Sequence, residues 1–248
     1  MRIIVAKDYA DMSKRAANIV SAQIMLKPNS VLGLATGSTP LRMYQELVKI
    51  YEGGEFDFSE VTTFNLDEYI GLPKNDPNSY NYYMHENFFK HVNINPANIN
   101  IPDGMAAHIG RECEEYESRI LAKDGIDLQV LGIGNNGHIG FNEPDLKFEA
   151  TTHLVELDED TINANSRFFT TIDDVPKQAI SMGIRTIMRA RKILLLASGK
   201  NKAEVVRKAL YEAITPEVPA SILQLHPDVT IIVDKDAGEF ISGTETKV

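Results

Sequence analysis

One histidine, one glutamate and three asparagines share a glycine-punctuated turn, LGIGNNGHIGFNEP, between Leu131 and Pro144. His138 and Glu143 form an imidazole–carboxylate pair that can give and take a proton near neutral pH. Asn136 lies close enough in sequence to help orient the ring. A structural histidine and a metal ligand are the alternatives. A metal is not expected: no second histidine lies nearby, Cys113 is distant, and neither HExxH nor a cysteine pair occurs. Asp67-Glu68-Tyr69 supplies more acid–base chemistry. It closes an apolar run, where a carboxylate can abstract a proton next to a carbonyl or simply cap a turn.

Anion binding has its own candidates. Thr36-Gly37-Ser38-Thr39-Pro40 joins an apolar run to a helical pattern. Free N–H groups at a helix start suit a phosphate, and three hydroxyls add donors. The segment is neither a P-loop nor GxGxxG, and an ordinary helix cap is the alternative. Arg167 sits among small and apolar residues in NANSRFF, and Lys202 opens a helix in SGKNKAE. A cation at a helix start opposes the macrodipole, so both suit an anion clamp, although a solvated lysine fits the same spacing. A nucleophilic serine or cysteine is not indicated. There is no GxSxG, and Cys113 sits in the charged run RECEEYESR without an adjacent histidine.

These residues must be positioned by the elements between them. Apolar runs predict strands over 2–5, 30–35, 61–65, 128–133, 152–157, 192–197 and 229–233. Helical spacing predicts helices over 8–26, 41–51, 79–91, 106–123, 160–167, 176–189 and 200–213, with Pro176 at the start of its helix. Such alternation predicts one α/β domain over residues 1–248: an open, mostly parallel, Rossmann-like sheet with helices on both faces. The polar, weakly periodic stretch 141–171 reads as a lid between strands. The candidate residues follow strands, at the carboxyl ends where open α/β sheets bind ligands.

A net charge of −10 and a pI near 5.1 speak against a nucleic-acid partner. A single cysteine suggests a reducing compartment. No signal-peptide-like or membrane-length apolar segment is seen, so a cytoplasmic protein without a membrane partner is expected.

LGLATGSTP, TTFNLDEYIGL, NSYNYYMHENFF, LGIGNNGHIGFNEP, NANSRFF, VPKQAISMGI and SILQLHPDV, in that order and along nearly the whole chain, resemble the glucosamine-6-phosphate deaminase family. The resemblance implies conversion of glucosamine 6-phosphate and water to fructose 6-phosphate and ammonium, without metal or organic cofactor. It implies a phosphate held by Thr36, Gly37, Ser38 and Thr39 and clamped by Arg167 and Lys202. It implies that His138, oriented by Glu143 and Asn136, opens the sugar ring, that Asp67 moves the C2 proton to C1, and that Glu68 contacts the substrate or supports Asp67. The related 6-phosphogluconolactonases typically carry Asp-Glu-Arg in place of Asp67-Glu68-Tyr69 and lack the Phe141-Asn142-Glu143 continuation. A lactonase-like hydrolase is the enzymatic alternative. A non-catalytic sugar-phosphate sensor is the other, and for that no spare helix-turn-helix is seen.

Two departures matter. Many family members carry Asp where this chain has Asn136, so an Asn136→Asp variant should move the acid limb of the rate profile upward. The allosterically activated hexameric members carry a basic cluster after the Glu-Pro. Here the sequence reads Asp145-Leu146-Lys147, so activation by N-acetylglucosamine 6-phosphate is not expected, and a monomer or small homo-oligomer is.

Overall fold

A computed structural model describes residues 1–241. Its strands are β1 (Arg2–Ala6), β2 (Val31–Leu34), β3 (Thr62–Asn65), β4 (Asp67–Tyr69), β5 (Ile99–Asn100), β6 (Leu128–Leu131), β7 (His153–Glu156), β8 (Gln178–Ser181), β9 (Lys192–Ala197) and β10 (Val229–Asp234). Its α-helices are α1 (Tyr9–Leu26), α2 (Ser38–Glu52), α3 (Tyr80–Asn87), α4 (Ile109–Leu121), α5 (Glu159–Asn165), α6 (Ile184–Met188) and α7 (Ala203–Tyr211).

Seven strands form one sheet in the order β1-β10-β9-β6-β2-β3-β5, with every pairing parallel. Side chains alternate across it, as a strand requires. Leu32, Leu34, Val130, Leu194 and Leu196 pack under α1, α2 and α3. Phe64, Leu131, Ile193, Leu195 and Ile231 face α4, α6 and α7. With both faces covered, the central strands are continuous apolar runs, which is why they could be read from sequence.

Parallel pairing sends all seven carboxyl ends to one rim. From β2 the chain proceeds outward through β3 to β5, and from β6 it proceeds the other way through β9 to β10. The connections therefore diverge between the neighbours β2 and β6. Such a switch point leaves a crevice above the strand ends.

The fold departs from expectation at residues 176–189. The predicted helix is instead strand β8 followed by the short helix α6. β8 lies in the middle of a second, antiparallel sheet of order β4-β8-β7. Pairing on both edges overrides the local helical spacing of QAISMGI. Gly183 ends the strand where the chain crosses the backbone of Ala150 and Thr151, too closely for a β-carbon. Within the stretch read as a lid, β7 is hydrogen-bonded to β8. Thr152 is tied to helix α4 through the Glu117 carboxylate, which also takes the Thr186 hydroxyl. Apart from Phe141, the residues of this stretch that line the crevice at the rim all follow Glu156.

Candidate active site

The crevice is a cleft of about 830 Å³. Its walls include Thr36–Thr39 after β2, Asp67 in β4, Gly134, Asn136 and His138 after β6, Arg167 after α5, and Lys202 before α7. Loops separated by more than a hundred residues thus meet in one space.

Glycine shapes the His138 loop. A β-carbon on Gly134 would lie within 2.5 Å of three imidazole atoms, so the ring packs directly on that backbone. His138 Nδ1 is 3.0 Å from Glu143 Oε2. Asn136 donates its Nδ2 to the same oxygen at 2.8 Å, and its Oδ1 accepts from the His138 N–H. Asn136 therefore reaches the ring through Glu143 and through the backbone. Thr161, on α5, donates its hydroxyl to Glu143 Oε1 at 2.6 Å. Burial by itself would raise the Glu143 pKa, but hydrogen bonds with His138, Thr161 and Asn136 outweigh it and hold the carboxyl below its ordinary value. Glu143 is thus an ionised anchor that fixes the tautomer and direction of the imidazole.

Asp67 has the opposite setting. It is 6 % exposed, and among the described residues no hydrogen bond or cation meets its carboxyl group. Burial, with a smaller contribution from Glu68, pushes its pKa up to about 8. Tyr69, Tyr80, Phe141 and Phe169 form an aromatic wall nearby, with the Tyr69 and Tyr80 rings 4.7 Å apart. A carboxyl group so placed keeps its proton near neutral pH and ionises readily only when a cation is brought beside it.

Glu68 does not line the cleft. On a strand, neighbours point to opposite sides, and its carboxylate turns to the start of α3. There it accepts the N–H groups of Tyr80 and Asn81, as well as that of Tyr69. Burial pushes its pKa up to about 7 against these three bonds. Direct substrate contact by Glu68 is not what this geometry offers; it caps the helix that carries Tyr80 and Tyr83.

At the other end, α2 starts at Ser38, so Ser38 and Thr39 form its first turn. The cap is Gly37, with φ of 99°, and has no side chain to cover the free N–H groups. Lys202 faces this turn from the segment after β9. Asp234, at the end of β10, accepts from the Ser198 hydroxyl and the Gly199 N–H and so fixes the turn that presents it. Burial, then the charge of Arg167, lowers the Lys202 pKa to about 8. Two cations held this close suit a dianion.

Sequence reasoning missed Thr161 and Asp234. Thr161 is a lone hydroxyl in a polar stretch, and Asp234 looks like an ordinary strand end. Only the three-dimensional contacts mark them. No group of three or more acidic, histidine or cysteine residues suited to a metal occurs among the described residues. No described helix is long and apolar enough to cross a membrane.

Residues 7–232 match the family described as glucosamine-6-phosphate isomerases/6-phosphogluconolactonase. A glucosamine-6-phosphate deaminase of Halothermothrix orenii is 60% identical over 97% of this chain and 100% of its own length. That of Clostridioides difficile is 58% identical over the full length of both. The solved structure of a monomeric glucosamine-6-phosphate deaminase superposes with a TM-score of 0.94 at 47% identity, covering 96% of this chain and 99% of its own. A 6-phosphogluconolactonase from Leishmania guyanensis shares the fold at 22% identity, with a TM-score of 0.78. By sequence over nearly its whole length and by fold, the chain belongs to the glucosamine-6-phosphate isomerase/6-phosphogluconolactonase family, among its glucosamine-6-phosphate deaminases.

Proposed function

We propose that the protein converts glucosamine 6-phosphate and water to fructose 6-phosphate and ammonium in the cytoplasm, as a monomer or small homo-oligomer. One observation carries the reading. A buried carboxyl group with no partner among the described residues, an anchored imidazole and an anion-binding end with two cations line a single cleft of about 830 Å³.

The phosphate sits on the N–H groups and hydroxyls of Thr36–Thr39, between Lys202 and Arg167. Its binding energy aligns the distant reacting carbons. His138, held by Glu143, moves the proton that opens the pyranose to the aldehyde. Asp67 takes the C2 proton, giving an enolamine, and returns it at C1. Water adds at C2 of the resulting imine, and the carbon–nitrogen bond breaks to leave the ketone and ammonia, which leaves as ammonium. The raised pKa of Asp67 is compatible with this role, because the substrate's ammonium group beside it favours the ionised carboxylate. Residues 158–169 act as the lid, since Thr161 and Arg167 both belong to that segment.

The test is ammonium and fructose 6-phosphate release from glucosamine 6-phosphate, with 6-phosphogluconolactone assayed in parallel. Wild type should turn over the amino sugar and not the lactone. Asp67→Asn should lower kcat by roughly 10²- to 10⁴-fold. A wild type that releases only acid from the lactone ends the assignment, and an unimpaired Asp67→Asn ends the role of that carboxylate.

A further inference from the structure

Three carbonyl groups of the phosphate turn are each held by a tyrosine hydroxyl from a different helix. Tyr44, on α2, donates to the Ala35 carbonyl at 2.6 Å. Tyr83, on α3, donates to the Gly37 carbonyl at 2.6 Å. Tyr9, on α1, donates to the Ser38 carbonyl at 2.7 Å and accepts the Arg42 N–H at 3.3 Å. Tyr9 thereby bridges the two groups that a helix ordinarily pairs with each other.

These bonds determine where the N–H groups point. None of the described peptide bonds is cis. In a trans peptide the N–H points away from the carbonyl of the same unit. The Ala35, Gly37 and Ser38 carbonyls belong to the same units as the N–H groups of Thr36, Ser38 and Thr39. Holding the three carbonyls on tyrosine hydroxyls turns those three N–H groups the other way. Thr36, Ser38 and Thr39 all line the cleft, whereas Tyr9 and Tyr44 stand outside it and Tyr83 forms part of its wall. Gly37 lies between the held units at a φ of 99°, where an unheld peptide rotates easily. A rotated unit would present a carbonyl oxygen to the anion in place of a donor.

We propose that Tyr9, Tyr44 and Tyr83 are positioning residues that lock the turn at 36–39 in its anion-accepting orientation. Their hydroxyls never touch the substrate; they act through the peptide units they hold. This rests on the reading of that turn as the phosphate site. It adds a requirement for tyrosine, and not phenylalanine, at three positions that pack otherwise as ordinary aromatic residues. Tyr44, for example, stacks on Phe88 at 4.9 Å between ring centroids.

The experiment uses Tyr9→Phe, Tyr83→Phe and their double variant, with Tyr82→Phe as control because Tyr82 is exposed and outside the cleft. KM for glucosamine 6-phosphate, kcat and the inhibition constant of inorganic phosphate are measured, and folding is checked by circular dichroism and melting. Each hydroxyl removed should raise KM and the phosphate constant together by roughly fivefold, the usual effect of one hydrogen bond. The kcat should stay within about twofold, since uniform binding is what is lost. Unchanged KM and phosphate constants in the folded double variant would overturn the proposal, as would a fall in kcat at constant KM. Binding of inorganic phosphate by calorimetry separates the two readings. If wild type makes no ammonium but binds phosphate more tightly than the double variant, the reaction is misassigned and the tyrosine role stands. If both bind it equally, the tyrosine role fails.

Discussion

Asp67 lines the cleft and Glu143 stands behind the His138 ring that lines it, and the two carboxyl groups have opposite surroundings. Glu143 collects bonds from a ring, an amide and a hydroxyl, and its carboxyl sits below the ordinary range. Asp67 is buried beside aromatic rings without such partners among the described residues, and burial pushes its pKa up to about 8. Asp67 is the more deeply buried of the two, and hydrogen bonding, present at Glu143, widens the difference. In the proposed reaction the carboxylate that stays charged and still is the one surrounded by donors, and the one that exchanges a proton is the one left without them.

Beyond the loss of turnover expected of Asp67→Asn, the contrast can be broken at Glu143. Glu143→Gln keeps the shape but removes the charge facing His138 Nδ1. We expect kcat to fall by roughly 10²-fold, and a ring-opened substrate analogue to recover part of the loss. Full activity in this variant would mean that the pair does no work.

Asp67→Asn probes the other side through stability. Because the folded pKa lies above the unfolded one, the folded state holds a proton that the unfolded state has released between about pH 4 and pH 8. Stability conferred by the native carboxyl is therefore lost as pH rises through that window. The amide does not titrate, so the variant should gain on wild type progressively from pH 5 to pH 8, by on the order of a few kcal/mol at the upper end. Parallel denaturation curves across that range would show that Asp67 is not in the low-dielectric site described.

Lys202 gives a smaller effect. Its pKa of about 8 predicts that KM rises as pH passes that value, while Lys202→Arg keeps a flat KM to higher pH. Asn136→Asp should move the acid limb of the rate profile upward by a fraction of a pH unit. The smallest change belongs to Thr161→Val, which deletes one bond to Glu143 and should cost about fivefold in kcat with KM nearly constant. No movement in either variant would remove that residue from the network around Glu143.

Much of this arrangement was legible in the residues. Glycine and proline punctuation placed the loops that carry Thr36–Thr39, Asp67, His138, Glu143 and Lys202, and the doubly covered sheet made its strands conspicuous. The small antiparallel sheet was not legible. β4 has three residues and its pairing with β8 spans more than a hundred positions, so local spacing around residues 176–189 read as helix. The aim of Glu68 was recoverable in principle, since alternation along a strand sends it away from Asp67. Thr161, Asp234 and the three tyrosines left no local signal, because their partners are backbone groups or side chains brought near only by folding.

The imidazole resting on Gly134 makes that position a proxy for ring orientation. No other amino acid leaves room for His138 as it stands, so replacing this glycine should evict the ring without altering any titratable group. When new chains of this family are compared, the residue four places before the histidine reveals whether its ring can be aimed the same way.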